Sequence, residues 1–108
     1  MTFPLQNNGV TPSAPFGVDR IPDAQTSLNV TAATVIKASP GRLALVSVIV
    51  AGSAVGSASD AAAVADVAAG NQIATIPNTV GVYVIDWPCL AGIVVSPGTG
   101  QTISVAYY

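Results

Sequence analysis

The chain has 108 residues, enough for one domain with a single core and too few for two. Charged residues make up 7% of it, against about 25% in soluble globular domains, so most of the surface must be neutral polar, small or apolar and better suited to contact with protein than to isolation in water. Three basic residues, Arg20, Lys37 and Arg42, stand against five acidic ones for a formal net charge of −2, which excludes the clustered Lys and Arg of a nucleic-acid surface.

Residues 1–26 contain Pro4, Pro12, Pro15 and Pro22, half of the eight prolines, and no sustained periodicity. Proline fixes φ and removes an amide donor, so the stretch is expected to be an extended N-terminal arm that joins no sheet interior. Phe3, Leu5, Phe16 and Ile21 are spaced along it as large apolar anchors, which must rest on the chain's own domain or on a neighbour. The basic-then-apolar order of a signal peptide is missing here, so the unprocessed chain is expected to be made in the host cytoplasm.

Residues 27–108 are expected to form the domain. From Leu28 to Ala38 apolar side chains alternate with polar ones, the pattern of one half-buried strand, and Ser39-Pro40-Gly41 then supplies turn chemistry. Arg42 to Ala51 is almost continuously apolar and β-branched, which predicts a central strand covered on both faces. It is about half the length needed to span a bilayer, so no membrane segment is expected. Gly52 and Gly56 flank a Ser/Ala-rich piece read as a weak strand or a loop. Asp60 as N-cap, the run Ala61 to Ala69 and Gly70 as C′ residue then predict one short helix.

Strand signals return at Gln72–Ile76, Val80–Trp87, Gly92–Val95 and Thr102–Tyr108, with Pro97-Gly98-Thr99-Gly100 as a hairpin turn between the last two. Six or seven short strands with one short helix and an extended arm predict an all-β fold, a β-sandwich or jelly-roll-like barrel.

Catalysis at neutral pH draws on groups that titrate there or bind a metal, and this chain has no histidine, one cysteine and scattered aspartates. No catalytic, cofactor-binding or metal site is expected, and no cofactor. Zinc would need short-spaced Cys and His, and calcium a cluster of acidic oxygens. Asp60 and Asp66 read as a cap and a solvated side chain. Gly98-Thr99-Gly100 lacks the lysine and helix of a phosphate loop. Asn29-Val30-Thr31 matches a glycosylation sequon without a secretory context. Cys89, alone, reads as a small buried hydrophobe. Trp87 ends a strand and is either a core anchor or a contact-surface aromatic, and Tyr108 joins it as a candidate interface residue.

Several segments together resemble a group of short virion proteins of tailed bacteriophages. They are Val35-Ile36-Lys37-Ala38-Ser39-Pro40-Gly41-Arg42-Leu43, Ile73 to Pro77, Gly81-Val82-Tyr83-Val84-Ile85-Asp86-Trp87-Pro88, Gly92-Ile93-Val94-Val95, and Pro97-Gly98-Thr99-Gly100-Gln101 before Ser104-Val105-Ala106-Tyr107. The resemblance covers residues 30–108 and implies a β-rich structural component, a head decoration or cement protein on the virion's capsid surface. Its implied partners are the major capsid protein and copies of itself, with a trimer favoured over a dimer and with no nucleic acid or membrane. The competing expectations are a tail or fibre component, and a carbohydrate-binding module that stacks sugars on Trp87, Tyr83, Tyr107 or Tyr108.

Overall fold

A computed structural model describes residues 24–108, which form eight strands and two single 3-10 turns. The strands are β1 (Gln25–Val30), β2 (Thr34–Lys37), β3 (Gly41–Val50), β4 (Gly56–Asp60), β5 (Gln72–Ile76), β6 (Gly81–Cys89), β7 (Ile93–Ser96) and β8 (Thr102–Tyr107). Phe3, Leu5, Phe16 and Ile21 lie outside the described residues, and β1 begins at Gln25, inside the stretch read as arm.

The strands make two four-stranded antiparallel sheets, sheet I in the order β1-β8-β3-β6 and sheet II in the order β2-β7-β4-β5. Every connection crosses from one sheet to the other except that between β4 and β5. Alternating side chains explain why the sheets share one core: Leu43, Val46 and Val48 of β3 and Ile103 and Val105 of β8 meet Ala58, Ile76, Ile93 and Val95 from sheet II. Tyr83, Ile85 and Tyr107 complete its margin.

Four expectations need correction. The alternating run Leu28–Ala38 is two strands in different sheets, broken at Thr31–Ala33, because Asn29 takes a left-handed conformation (φ 57°) that throws the chain out of register after Ser27. β3 is central in sheet I, but only one face is covered, with Leu45, Ile49 and Val50 exposed. The strands covered on both faces are β7, where Ile93, Val94 and Val95 are all buried, and β4, where Ala58 and Ser59 are.

The helix of Ala61–Ala69 is absent. Val64–Asp66 and Ala69–Asn71 form single 3-10 turns, separated by extended backbone at Val67 and Ala68. A run of alanines this short is below the length at which a helix holds without a packed apolar face, and its intended cap is engaged elsewhere. Finally, Pro97–Gly100 is a tight turn, closed by the Gln101 N–H on the Gly98 carbonyl at 3.0 Å, but it joins strands of different sheets and is no hairpin. Its backbone presses on the loop after β3. A Cβ on Gly98 would overlap the Ala54 carbonyl, and the Ser53 N–H donates to the Thr99 carbonyl at 2.8 Å.

Candidate interaction surface

Sheet I turns one face to the core and the other to solvent. Cross-strand register places Thr26, Ala106, Leu45 and Val84 side by side across all four strands, with Ser104, Ser47 and Val82 in the row beside them. Leu28 flanks both at the β1 edge and is 70% exposed, and Val82 and Val84 are 65% and 74% exposed. No residue in these rows carries charge. Between them runs a shallow open groove of about 240 Å³, lined by Thr26, Leu28, Leu45, Ser47, Val82, Ser104, Val105 and Ala106. Each large apolar side chain here would contribute about 1.5 to 3 kcal/mol if a partner buried it fully, so the face favours cover by another protein surface.

The edges of the same sheet are built differently. β1 and β6 are its outer strands, and each is bulged at a non-glycine residue with positive φ, Asn29 (57°) and Asp86 (48°). Short polar side chains tolerate that conformation best. The Asn29 N–H points at Ser104 Oγ at 3.5 Å. At the Asp86 bulge, Arg42 Nη1 donates to the Asp86 carbonyl at 3.1 Å and to its carboxylate at 2.9 Å, an exposed pair that fixes the bend more than it stabilises the fold. Pro88 removes a further donor from the β6 edge. Bulges and proline interrupt an edge ladder, so added strands are disfavoured on either side of sheet I.

Two further polar side chains tie loops of the fold together. Asp60, at the end of β4, accepts backbone N–H groups from Leu90 at 3.0 Å, Ala91 at 2.8 Å and Gly92 at 3.3 Å, and so ties β4 to the β6–β7 loop. Those hydrogen bonds hold its carboxyl below the usual carboxylate range. It caps this loop, not a helix. Gln101 is buried, donates to the Pro77 carbonyl at 2.8 Å and accepts the Gly98 N–H at 3.0 Å, joining the β7–β8 turn to the β5–β6 loop. Cys89 is buried in the core, where burial first and the Asp60 charge second push its thiol up, away from the reactive thiolate.

Trp87 is 50% exposed on the β6 edge, opposite Leu43, which makes it a surface aromatic and not a core anchor. Tyr108 exchanges backbone hydrogen bonds with Arg42 at 2.9 and 3.2 Å and lines an open cleft with Gln25, Lys37 and Pro88. The two residues sit at one end of sheet I, beside the apolar rows and not within them. Tyr83 and Tyr107 are packed against the core, with the Tyr83 hydroxyl donating to the Thr79 carbonyl at 2.7 Å, so they form no common platform with Trp87.

Sequence reasoning missed Leu28, Leu45, Val82 and Val84 as surface residues. A usable signal existed in Val82-Tyr83-Val84-Ile85, where both alternating sets are apolar although only one can face the core. Among the described residues no group of three or more His, Cys, Asp or Glu is placed to hold a metal ion, and no helix is long and apolar enough to cross a membrane. No family model, curated protein or solved structure matches the chain.

Proposed function

We propose that this chain is a virion structural protein, a capsid decoration or cement subunit that stabilises a head lattice through contacts with the major capsid protein and with its own copies. The observation that carries the reading is the uncharged, exposed apolar face of sheet I between two bulged edges. A chain with this little charge and this much open apolar sheet is suited to burial against other chains.

The strand order adds support at the level of fold. Strands 1 and 8, 2 and 7, 3 and 6, and 4 and 5 are paired, the pattern made by wrapping one long antiparallel ribbon around a barrel. We read it as a jelly-roll sandwich, an architecture used by viral capsid and lectin domains. That link is one of fold analogy and assigns no site by itself. The proline-rich stretch before β1 is read as an arm that helps bind neighbours.

Quantitative mass spectrometry of density-purified phage particles from cells that make the protein tests the assignment. Copy number comparable to that of the major capsid protein is the expected result. A handful of copies per particle would move the protein to the tail or a fibre, and absence from particles would end the virion reading.

A further inference from the structure

We propose that two copies of this chain pair through the outer face of sheet I, face to face about a two-fold axis that runs along the strands between β3 and β8. The proposal rests on the reading of that face as a contact surface, and it names the occupant and the symmetry. Occupancy on particles and pairing in solution are measured separately, so either can fail while the other stands.

The rest of the domain discourages contact between copies. All four outer strands break register with their inner neighbours: β1 between Ser27 and Val30, β6 opposite Leu43 to Leu45, β2 between Val35 and Lys37, and β5 opposite Ala58 to Ser59. A bulged edge is a poor template for strand addition, so copies are steered away from joining edge to edge. The central strands of sheet II offer little on their outer side. Ala58, Ile93 and Val95 belong to the core, so alternation turns Ser59 and Val94 outward, and these are already buried at 2% and 0% exposure. Among the described residues, the outer face of sheet I is the broad apolar surface left open, with Leu28, Val82 and Val84 each at least 65% exposed.

That face is complementary to itself. From β1 to β6 its first row reads Thr26, Ala106, Leu45, Val84. Sheets packed face to face keep their strand directions within about 30° of each other, which a two-fold axis along the strands provides. Such an axis keeps each row at its own height and reverses its order. Leu45 of one copy then lies over Ala106 of the other, the largest side chain of the row on the smallest, and Val84 lies over Thr26, a side chain of its own size. In the second row Ser47 and Ser104 meet across the axis, hydroxyl to hydroxyl, and Val82 meets Leu28 at the rim. No charge lies in either row, so no like charges are opposed.

The area is sufficient for a reversible pair. Strands of 6, 6, 10 and 9 residues, at about 3.3 Å per residue and about 4.8 Å between strands, make a face of about 500 Å². Two such faces remove about 1,000 Å² from water, the size at which specific interfaces begin. One face per copy joins two copies and leaves none over, which makes a closed pair in place of the trimer that the resemblance implies.

The test uses the full chain with the photoreactive p-benzoylphenylalanine in place of Val84. Light-isotope and heavy-isotope preparations are mixed, unfolded and refolded together, then irradiated. The expected products join light to heavy chains and map to β1 around Thr26. Cross-links to residues 1–23 of either copy would show that the N-terminal segment covers the face and would overturn the proposal. Cross-links to sheet II, cross-links confined to one isotopic copy, or none at all would also overturn it.

A second measurement reads the stoichiometry. Sedimentation of the parent chain should show monomer and dimer with no larger species, and a trimer would overturn the two-fold arrangement. Val82→Lys places a charge on a position already 65% exposed, so the fold should tolerate it. Dimerisation should then weaken by at least about tenfold, since a tenfold change needs only about 1.4 kcal/mol. Dimerisation equal to that of the parent chain would exclude the face as the contact.

Discussion

The Asp60 carboxylate accepts three amide protons from Leu90, Ala91 and Gly92, and its ionised form is favoured in the folded chain. A carboxyl held below its unfolded value, about 3.9, stabilises the fold above that pH, and the contribution is lost as pH falls through the lower folded value. Thermal unfolding followed from neutral pH into acid should therefore decline below about pH 4, and Asp60→Asn should show a flatter decline because it cannot titrate. Hydrogen bonds to a charged acceptor contribute about 1.5 to 3 kcal/mol, so Asp60→Ala should lower stability by that order in denaturant melts at neutral pH. The two faces of sheet I give a sharper contrast. Val48 is 1% exposed and Val84 is 74% exposed. Val48→Asp buries an unpaired carboxylate at a cost of several kcal/mol, comparable to the whole stability of a small domain, and should unfold or aggregate the protein. Val84→Asp should leave its unfolding midpoint within about 0.5 kcal/mol of the parent. Equal tolerance of both would mean that β3 does not face the core as described.

At the level of elements, the crossings between sheets depend on close backbone approach. Gly98 lies against Ala54 with no room for a Cβ, whereas a Cβ on Gly70 would meet nothing within 4 Å. Gly98→Ala should separate the β7–β8 turn from the loop after β3 and lower stability by about 1 to 3 kcal/mol, the usual cost of overpacking. Gly70→Ala should be neutral or stabilise by up to about 1 kcal/mol through the unfolded chain. Urea melts of both variants decide the point. The same residues show how far the sequence could be read. Turns at Pro40-Gly41, Pro77 and Pro97-Gly98 were legible because Gly and Pro act locally, and β3, β5, β6, β7 and β8 because their apolar residues are large, whereas Pro88, expected to end its strand after Trp87, lies inside β6, which runs on to Cys89. β4 was hard to see, since Gly56-Ser57-Ala58-Ser59-Asp60 has small side chains and becomes a central strand only through its neighbours β7 and β5. The helix at Ala61–Ala69 was overread for the complementary reason: local propensity favoured it, and the tertiary demand of Leu90, Ala91 and Gly92 on Asp60 removed its cap. The break between β1 and β2 turned on the backbone conformation of Asn29, which side-chain periodicity does not report. The apolar rows of sheet I were present in the sequence as an excess of apolar residues, but which set faced the core depended on the register.

For the whole molecule, the distribution of charge fixes how association should respond to solvent. The described charges are Lys37, Arg42, Asp60, Asp66 and Asp86; Arg42 and Asp86 are paired with each other, and Asp60 is bonded to backbone. None lies in the rows of Thr26, Ala106, Leu45 and Val84 or of Ser104, Ser47 and Val82. If those rows form the contact, its free energy comes from removing apolar area from water and not from Coulomb attraction. Raising salt from about 0.1 to about 1 M shortens the Debye length from about 10 to about 3 Å and would sharply weaken a contact held by exposed charges. Here the sedimentation constant for self-association should stay level or strengthen over that range, and calorimetry of association should show a negative heat-capacity change. Val84→Asp, at a position 74% exposed and so expected to leave the fold intact, should weaken that association. Under the proposed lattice role each such contact can be weak, because many copies would engage at once. Self-association that disappears with added salt, or that Val84→Asp leaves untouched, would place the contact on the charged end of the molecule around Lys37 and Arg42, and the apolar face of sheet I would have no part in it.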